Sequence, residues 1–250
     1  MNISDLKKLA EHTRYMREAG IALLFASGLL AFFLFLSPTS SVLESLTSTA
    51  IPDAFANISL EANAAIVYDL VTGETLYKKN AETQLPLASL TKLLTVYSAL
   101  AKLSPDTPIT IPARALSVDG ARTFNAGQIF SLSDLARLTL TASLNDGAVA
   151  IASATAEREN RTQNEMLAST ATALNLSQTY AVNGSGLDEN SAIAGGYGSA
   201  YDVAILAGTL VNKAPSIAAA TTLDSAQAVS VGGTLFSVKN TDPIVGTIPR

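Results

Sequence analysis

The 250-residue sequence contains no cysteine, no tryptophan and one histidine, His12. A cysteine nucleophile is therefore excluded, and neither a Ser-His-Asp triad nor a zinc site of His and Cys ligands is expected. Charged residues make up only 15% and apolar residues 48%, which is typical of a chain that folds around a core. The net charge of −5 argues against a nucleic-acid partner, because phosphate contacts need clustered lysine and arginine. We expect no cofactor and no metal.

The N-terminal region contains a long apolar run, residues 19–36, without a charge. Eighteen helical residues span about 27 Å, enough to cross a bilayer core of roughly 30 Å. Basic residues precede the run at Lys7, Lys8, Arg14 and Arg17, and the next one is Lys78. By the positive-inside rule, residues 1–18 are expected to form a cytoplasmic tail, and the residues after the apolar run are expected to lie outside the cell. We expect a single-pass membrane protein with an uncleaved anchor at 19–36; a cleaved signal peptide, usually shorter, is the alternative.

The exported part divides into a linker at residues 37–60, rich in Ser, Thr and Pro, and a globular domain at residues 61–250. Two hairpins are predicted, one over residues 64–79 with Gly73 in its turn and one over residues 228–238 turning at Gly232 and Gly233. Between them the sequence predicts a proline-containing loop at 105–112 and helices over 89–102, 133–142, 146–157, 165–174 and 199–211, the last opened by a capping box at Ser199. Strands at both ends of a helical middle indicate an α+β fold.

The pair Ser89 and Lys92 is the first candidate for chemistry. A serine needs an adjacent base to act as a nucleophile, and residues i and i+3 share a face of a helix. The pattern alone is weak, because Ser4 and Lys7 have the same spacing. An N-cap serine beside a solvated lysine is the ordinary alternative.

The break between two predicted helices, Ser143-Leu144-Asn145, is the second candidate. Ser143 could shuttle a proton between Lys92 and a leaving amine, and Asn145 could hold a substrate carbonyl. An ordinary helix–helix turn is the alternative, since Ser and Asn are common turn residues.

Several segments, in order, resemble the penicillin-binding D-alanyl-D-alanine carboxypeptidases of the serine peptidase S11 type. They are residues 66–77, 85–95, 133–154, 164–166, 174–176, 183–187 and 199–206. The resemblance covers roughly residues 61–242. It implies a β-lactamase/transpeptidase-like fold, with an antiparallel sheet packed with a mostly helical subdomain.

The resemblance also implies a mechanism and its partners. Ser89 would attack the carbonyl of the penultimate D-alanine of a peptidoglycan stem peptide while Lys92 takes its proton. Ser143 would relay a proton to the departing D-alanine, and Asn145 would position the stem peptide. Water would hydrolyse the acyl-enzyme, and β-lactam antibiotics would acylate the same serine.

The sequence departs from the family pattern at two places. Leu144 stands where the family usually has Gly or Ala, which is expected to change the cleft wall. No lysine is followed by Thr-Gly or Ser-Gly, so the third family motif is absent, and the resemblance implies a domain incomplete at its C-terminus.

Two alternatives stay open. A serine β-lactamase is disfavoured by Ala171, at the place of the class A general-base Glu. A non-catalytic, membrane-anchored wall-binding protein is favoured by the missing motif.

Overall fold

The computed structural model of the chain describes residues 2, 3, 13, 15, 16, 55, 57–245 and 247. The chain divides into two units, Met1–Asn57 and Ile58–Arg250. In the first unit, the described residues Ile3, Thr13, Tyr15 and Met16 are helical and exposed. The predicted anchor at 19–36 and most of the predicted linker lie outside the described residues. In the described part of the chain, none of the helices has the length and hydrophobicity needed to span a bilayer.

The second unit combines helices with short antiparallel strands. The helices are α1 (Thr91–Lys102), α2 (Leu132–Ala142), α3 (Asn145–Arg158), α4 (Gln163–Ala173), α5 (Ala200–Lys213) and α6 (Pro215–Ala220). The strands are β1 (Ala65–Tyr68), β2 (Thr75–Lys79), β3 (Leu85–Pro86), β4 (Pro108–Thr110), β5 (Ile129–Ser131), β6 (Tyr180–Ala181), β7 (Gly196–Gly198), β8 (Ser225–Val229) and β9 (Leu235–Lys239). The α+β prediction is confirmed.

Every strand pairing in residues 57–245 is antiparallel. The pairs β1–β2, β4–β5 and β8–β9 form two-stranded sheets, and β7 lies between β3 and β6 in a three-stranded one. This small central sheet places the chain leading into α1 beside the segment around residue 196, where the Leu87 N–H donates to the Gly196 carbonyl. The sheet therefore fixes the entry to the helix that carries Lys92.

Helix α1 lies between two hydrophobic clusters and is buried on most of its circumference. Val96 and Ala99 belong to a large cluster with residues of α2, α3 and the β4–β5 pair, whereas Leu94 belongs to a second cluster with residues of α4 and α5. Because apolar residues pack against α1 from both sides, the polar Lys92 and Thr95 on the same helix are also fully buried. The core thus holds an amine at a fixed position.

Most predicted elements are confirmed, with the ends of the predicted helices shifted by at most two residues. The first hairpin forms as predicted, and Gly73 adopts a positive φ of 75° in its turn. Helices α2 and α3 are separated by a break at Ser143 and Leu144, as expected.

Three local predictions are wrong. The segment at 105–112 contains β4, because a proline is tolerated as the first residue of a strand and Ile109 buries its side chain completely. The second hairpin turns over five residues, since its last strand pair is Val229 with Leu235. Ser199 does cap α5, but the Asp202 carboxylate accepts from the Gln178 N–H and the Thr179 hydroxyl, so the reciprocal half of the capping box is replaced by a tertiary contact.

Candidate active site

Ser89 and Lys92 lie side by side, as their spacing predicts. Ser89 is exposed and sits in the 3₁₀ turn Ala88–Leu90 that leads into α1. The Lys92 Nζ donates a hydrogen bond of 2.7 Å to the Ser89 Oγ. The ordinary alternative is wrong, because Leu90 is the N-cap residue of α1 and Lys92 is only 2% exposed. The structure therefore pairs an accessible hydroxyl with a buried amine.

Burial changes the acid–base behaviour of Lys92. Removing the ammonium group from water disfavours its charged form, and this desolvation lowers the pKa of Lys92 from 10.5 to about 8. Its hydrogen-bond partners, the Ser89 and Ser143 hydroxyls and the Ser185 carbonyl, are all uncharged. A substantial neutral fraction near physiological pH makes this amine suited to accept a proton from Ser89.

Ser143 closes the other side of the amine. It follows the last residue of α2 in the left-handed conformation, at φ 54° and ψ 40°, and this turn directs the chain into α3. The Lys92 Nζ donates to the Ser143 Oγ at 3.4 Å. Two hydroxyls thus share one amine, which is the arrangement that a proton relay requires.

Asn145 follows Ser143 by two residues, at the first position of α3, and is 5% exposed. Its backbone N–H donates to the Ala121 carbonyl, and its Nδ2 donates to the Asp119 carbonyl at 2.7 Å. The Asn145 Oδ1 is buried and has no hydrogen-bond partner among the described residues. A buried acceptor left without a partner is unfavourable by about 1–3 kcal/mol, so a ligand N–H at this atom would be stabilised.

Leu144, the departure inside the second motif, belongs to the large core cluster and is 3% exposed. The core accommodates its side chain, so the expectation that Leu144 alters the cleft wall is wrong. The hydroxyl of the preceding residue, Ser143, lies 3.4 Å from the Lys92 Nζ because the chain turns between two helices at Ser143 and Leu144.

One contact of Lys92 was not predicted from the sequence. Its Nζ donates to the carbonyl oxygen of Ser185 at 3.1 Å, across 93 residues of chain. Ser185 lies in the segment 183–187, Asn-Gly-Ser-Gly-Leu, which joins β6 to the loop before β7. A backbone carbonyl is present in every residue, so the residue type of Ser185 does not predict this contact. The glycine on each side of Ser185 could have indicated it, because glycine allows a close approach of two backbones.

Gly186 shows how closely this segment approaches the nucleophile turn. It has a φ of 77°, and a Cβ at this position would overlap the carbonyl oxygen of Ala88. Gly127 has a similar φ of 80°, but a Cβ added there would meet no atom within 4 Å. The two glycines therefore share the same backbone strain and differ only in the space around them.

We predict that Gly186→Ala destabilises the protein more than Gly127→Ala. Positive φ alone is unfavourable for alanine by about 1–2 kcal/mol, and overlap with a packed backbone adds roughly 1–3 kcal/mol. Urea unfolding should give about 3 kcal/mol or more for Gly186→Ala and about 1 kcal/mol for Gly127→Ala. Equal losses would contradict the close contact with Ala88.

Comparison with known proteins assigns the chain to a family. Residues 48–245 match the family of peptidase S11, D-alanyl-D-alanine carboxypeptidase. The D-alanyl-D-alanine carboxypeptidase DacF of Bacillus subtilis is 31% identical over 177 residues, which cover 65% of this chain and 44% of the relative. Penicillin-binding protein D2 of Listeria monocytogenes, solved in its ampicillin-bound form, has a TM-score of 0.62 and 27% identity over 77% of each chain.

A second solved structure, the D-alanyl-D-alanine carboxypeptidase DacD of Francisella tularensis, has a TM-score of 0.60 and 28% identity over 68% of this chain and 41% of that one. The chain spans less than half the length of the curated relatives it matches, 42–44%. The α+β architecture is that of the β-lactamase/transpeptidase-like penicillin-binding proteins. With the family matched over residues 48–245, the chain belongs to the peptidase S11 family of D-alanyl-D-alanine carboxypeptidases.

Proposed function

We propose that the protein is a serine-type D-alanyl-D-alanine carboxypeptidase that acts on peptidoglycan stem peptides through an acyl-enzyme on Ser89. The observation that carries this proposal is the buried amine of Lys92, 2.7 Å from an exposed serine hydroxyl and within reach of a second one. Family membership supports it, since the matched family is one of D-alanyl-D-alanine carboxypeptidases.

In the first half-reaction, neutral Lys92 accepts the proton of the Ser89 hydroxyl as the Ser89 Oγ bonds to the carbonyl carbon of the penultimate D-alanine. The C–N bond to the terminal D-alanine then breaks. The leaving nitrogen receives the proton from Lys92 through Ser143, whose hydroxyl can accept one proton while donating another. In the second half-reaction, water attacks the ester, releasing the shortened peptide and restoring the Ser89 hydroxyl.

Asn145 is proposed to position the stem peptide. A peptide bond presents both an N–H and a carbonyl, and the side chain of Asn145 can pair with either. Its Oδ1 is the buried atom without a partner, which supports an N–H of the substrate as the group it meets. The same pocket would bind β-lactams, consistent with the ampicillin-bound form of the Listeria relative.

The direct test is release of D-alanine by the full chain from a synthetic peptide ending in D-Ala-D-Ala. A peptide of the same sequence ending in D-Ala-L-Ala is the matched control. We expect release from the first peptide only. Equal rates on both peptides, or no release from either, would contradict the proposal.

The pH dependence of acylation by penicillin provides a separate prediction. Lys92 acts as a base only when neutral, and its pKa is lowered to about 8. The acylation rate should therefore fall as pH decreases below about 8, by up to tenfold per pH unit, and level off above it. Stopped-flow measurement with a fluorescent penicillin checks this; a rate independent of pH from 6 to 9 would exclude Lys92 as the base.

A non-catalytic, membrane-anchored wall-binding protein that keeps the fold is a second candidate. It predicts binding of stem peptides without release of D-alanine and without covalent labelling by penicillin. The remaining alternative, a β-lactamase, predicts that a penicillin adduct is hydrolysed within seconds. Following the lifetime of the adduct by intact-protein mass spectrometry separates all three functions.

We also propose that residues 19–36 anchor the protein in the cell membrane, with residues 1–18 in the cytoplasm and residues 37–250 outside, comprising the linker at 37–60 and the catalytic domain at 61–250. The uncharged run and the basic residues before it support this arrangement. Protease added to intact spheroplasts should digest the domain and leave the N-terminal tail protected. Protection of the domain would contradict this orientation.

A further inference from the structure

The loop that contacts Lys92 presents two consecutive carbonyl groups to α1. The Gly184 carbonyl accepts from the Thr95 hydroxyl at 2.7 Å, and the Ser185 carbonyl accepts from the Lys92 Nζ at 3.1 Å. Lys92 and Thr95 are three residues apart, on one face of α1. The loop is therefore matched to this helix face, and its conformation decides where the Ser185 oxygen lies.

The side chain of Asn183 holds this loop in shape. Its Oδ1 accepts from the Ser185 N–H at 3.2 Å, the Ser185 hydroxyl at 3.0 Å and the Gly186 N–H at 2.9 Å. Its Nδ2 donates to the Leu187 carbonyl at 2.9 Å and to the Glu189 carboxylate at 2.7 Å. One half-buried carboxamide thus makes five hydrogen bonds within seven residues. This is far more than a surface turn needs.

The Ser185 carbonyl matters for catalysis because it can only accept hydrogen bonds. When Lys92 is neutral, its amine has two hydrogens and one lone pair. A hydrogen must point at the Ser185 oxygen, and the second hydrogen can point at Ser143. The lone pair is then left to face the Ser89 hydroxyl, which is the orientation that proton abstraction requires.

We propose that Asn183 is a positioning residue for this reaction: it fixes the Ser185 carbonyl, which in turn orients the Lys92 amine toward Ser89. Asn183 itself contacts neither Ser89 nor Lys92 in the described hydrogen bonds, so it acts through the loop. The effect of Asn183 on catalysis rests on the proposed function, whereas its effect on the orientation of the Lys92 amine does not.

Asn183→Ala in the full chain is the main test, and Asn190→Ala is its matched control. Asn190 has the same residue type and also closes a turn, accepting from the Ala192 and Ile193 N–H groups, and among the described hydrogen bonds its side chain makes none to the segment 183–187. We expect the acylation rate constant with fluorescent penicillin to fall about 10- to 100-fold for Asn183→Ala and to stay within about twofold for Asn190→Ala. The dissociation constant of the non-covalent penicillin complex should stay unchanged. The number of sites per chain that penicillin can label should also stay unchanged.

If Asn183 had only a structural role, fewer chains would be labelled by penicillin, but each labelled site would react with the wild-type acylation rate constant. That result overturns the proposal. If Asn183→Ala does not fold, Asn183→Ser replaces it. Serine supports a turn but cannot donate to both Leu187 and Glu189, so a fall of about three- to tenfold is expected. An unchanged rate per site for this variant also overturns the proposal.

A second readout separates this inference from the proposed function. The protonation of Lys92 is followed by NMR of protein labelled at the lysine Cε, with its signal assigned by its loss in Lys92→Met. The helices packed against α1 carry Asp134 and Arg137 on α2, Asp146, Glu157 and Arg158 on α3, Glu165 on α4, and Asp202 and Lys213 on α5, and the loop continues into Asp188 and Glu189. Burial alone accounts for the lowered pKa of Lys92 in the wild type. Asp146 is held by the Thr123 and Phe124 N–H groups, so both variants leave it in place.

Losing the carbonyl acceptor removes a stabilising partner of the ammonium form, so Asn183→Ala should lower the pKa of Lys92 relative to the wild type. An unchanged or raised pKa overturns the inference, even for a chain that penicillin does not acylate. Failure of the wild type to be acylated, with the expected shift in the variant, contradicts the proposed function alone.

Discussion

The Ser89→Ala variant is expected to lose all detectable labelling by fluorescent penicillin and all release of D-alanine. The Ser89 Oγ is the atom that would carry the acyl group, so no other step can proceed without it. Because Ser89 is exposed, the substitution should leave the unfolding free energy within about 0.5 kcal/mol of the wild type.

The sequence contains a matched control for this variant. Ser4 and Lys7 have the same spacing as Ser89 and Lys92, and Ser4→Ala is expected to leave labelling and D-alanine release unchanged. Retained labelling in Ser89→Ala, or loss of labelling in Ser4→Ala, would show that the Ser89 hydroxyl is not the acyl acceptor.

Lys92→Met is expected to reduce the acylation rate by about 10³-fold or more. Methionine has a similar length and an apolar end, so it fills the buried space without supplying a base. General-base catalysis contributes typically about 10²–10⁴-fold, and residues that act as a unit lose more when one is removed. Lys102→Met, on the exposed end of the same helix, is the control and should keep the wild-type rate.

The same variant tests the origin of the lowered pKa. Below about pH 8, Lys92 is protonated in both the folded and the unfolded chain, and the full desolvation penalty is present. Between about 8 and 10.5 the unfolded chain binds the proton and the folded protein does not, so folding stability rises with pH in that window. Relative to Lys92→Met, the wild type should gain roughly 2–3 kcal/mol between pH 7 and pH 10. A constant difference would show that burial does not lower this pKa.

The local geometry around the candidate site follows from the sequence. Helical spacing places Ser89 and Lys92 on one face, and the polar break at 143–145 between two apolar helices indicates a turn. That Ser143 works with Lys92 was a hypothesis from residue types, and the family resemblance implied the same role. Local sequence cannot fix this contact, because a contact across 51 residues depends on how the helices pack.

The remaining parts depend on tertiary structure. The Ser185 carbonyl belongs to the backbone, and its position is set by the close approach of Gly186 to Ala88 and by the hydrogen bonds of Asn183. Strand β4 was missed because its two flanking prolines are typical of a loop, whereas complete burial of Ile109 and pairing with β5 decide its conformation. Asp202 likewise has a helix-cap signature but bonds to the turn at 178–179.

We propose that Ser89, activated by Lys92, is the residue that becomes acylated. The full folded chain is treated with benzylpenicillin and digested with trypsin, and the adduct is located by mass spectrometry. Cleavage after Lys79 and Lys92 gives the peptide 80–92, in which Ser89 is the only serine. We expect one intact penicillin, bound to this peptide. An adduct on any other peptide, or none on the folded protein, would contradict it.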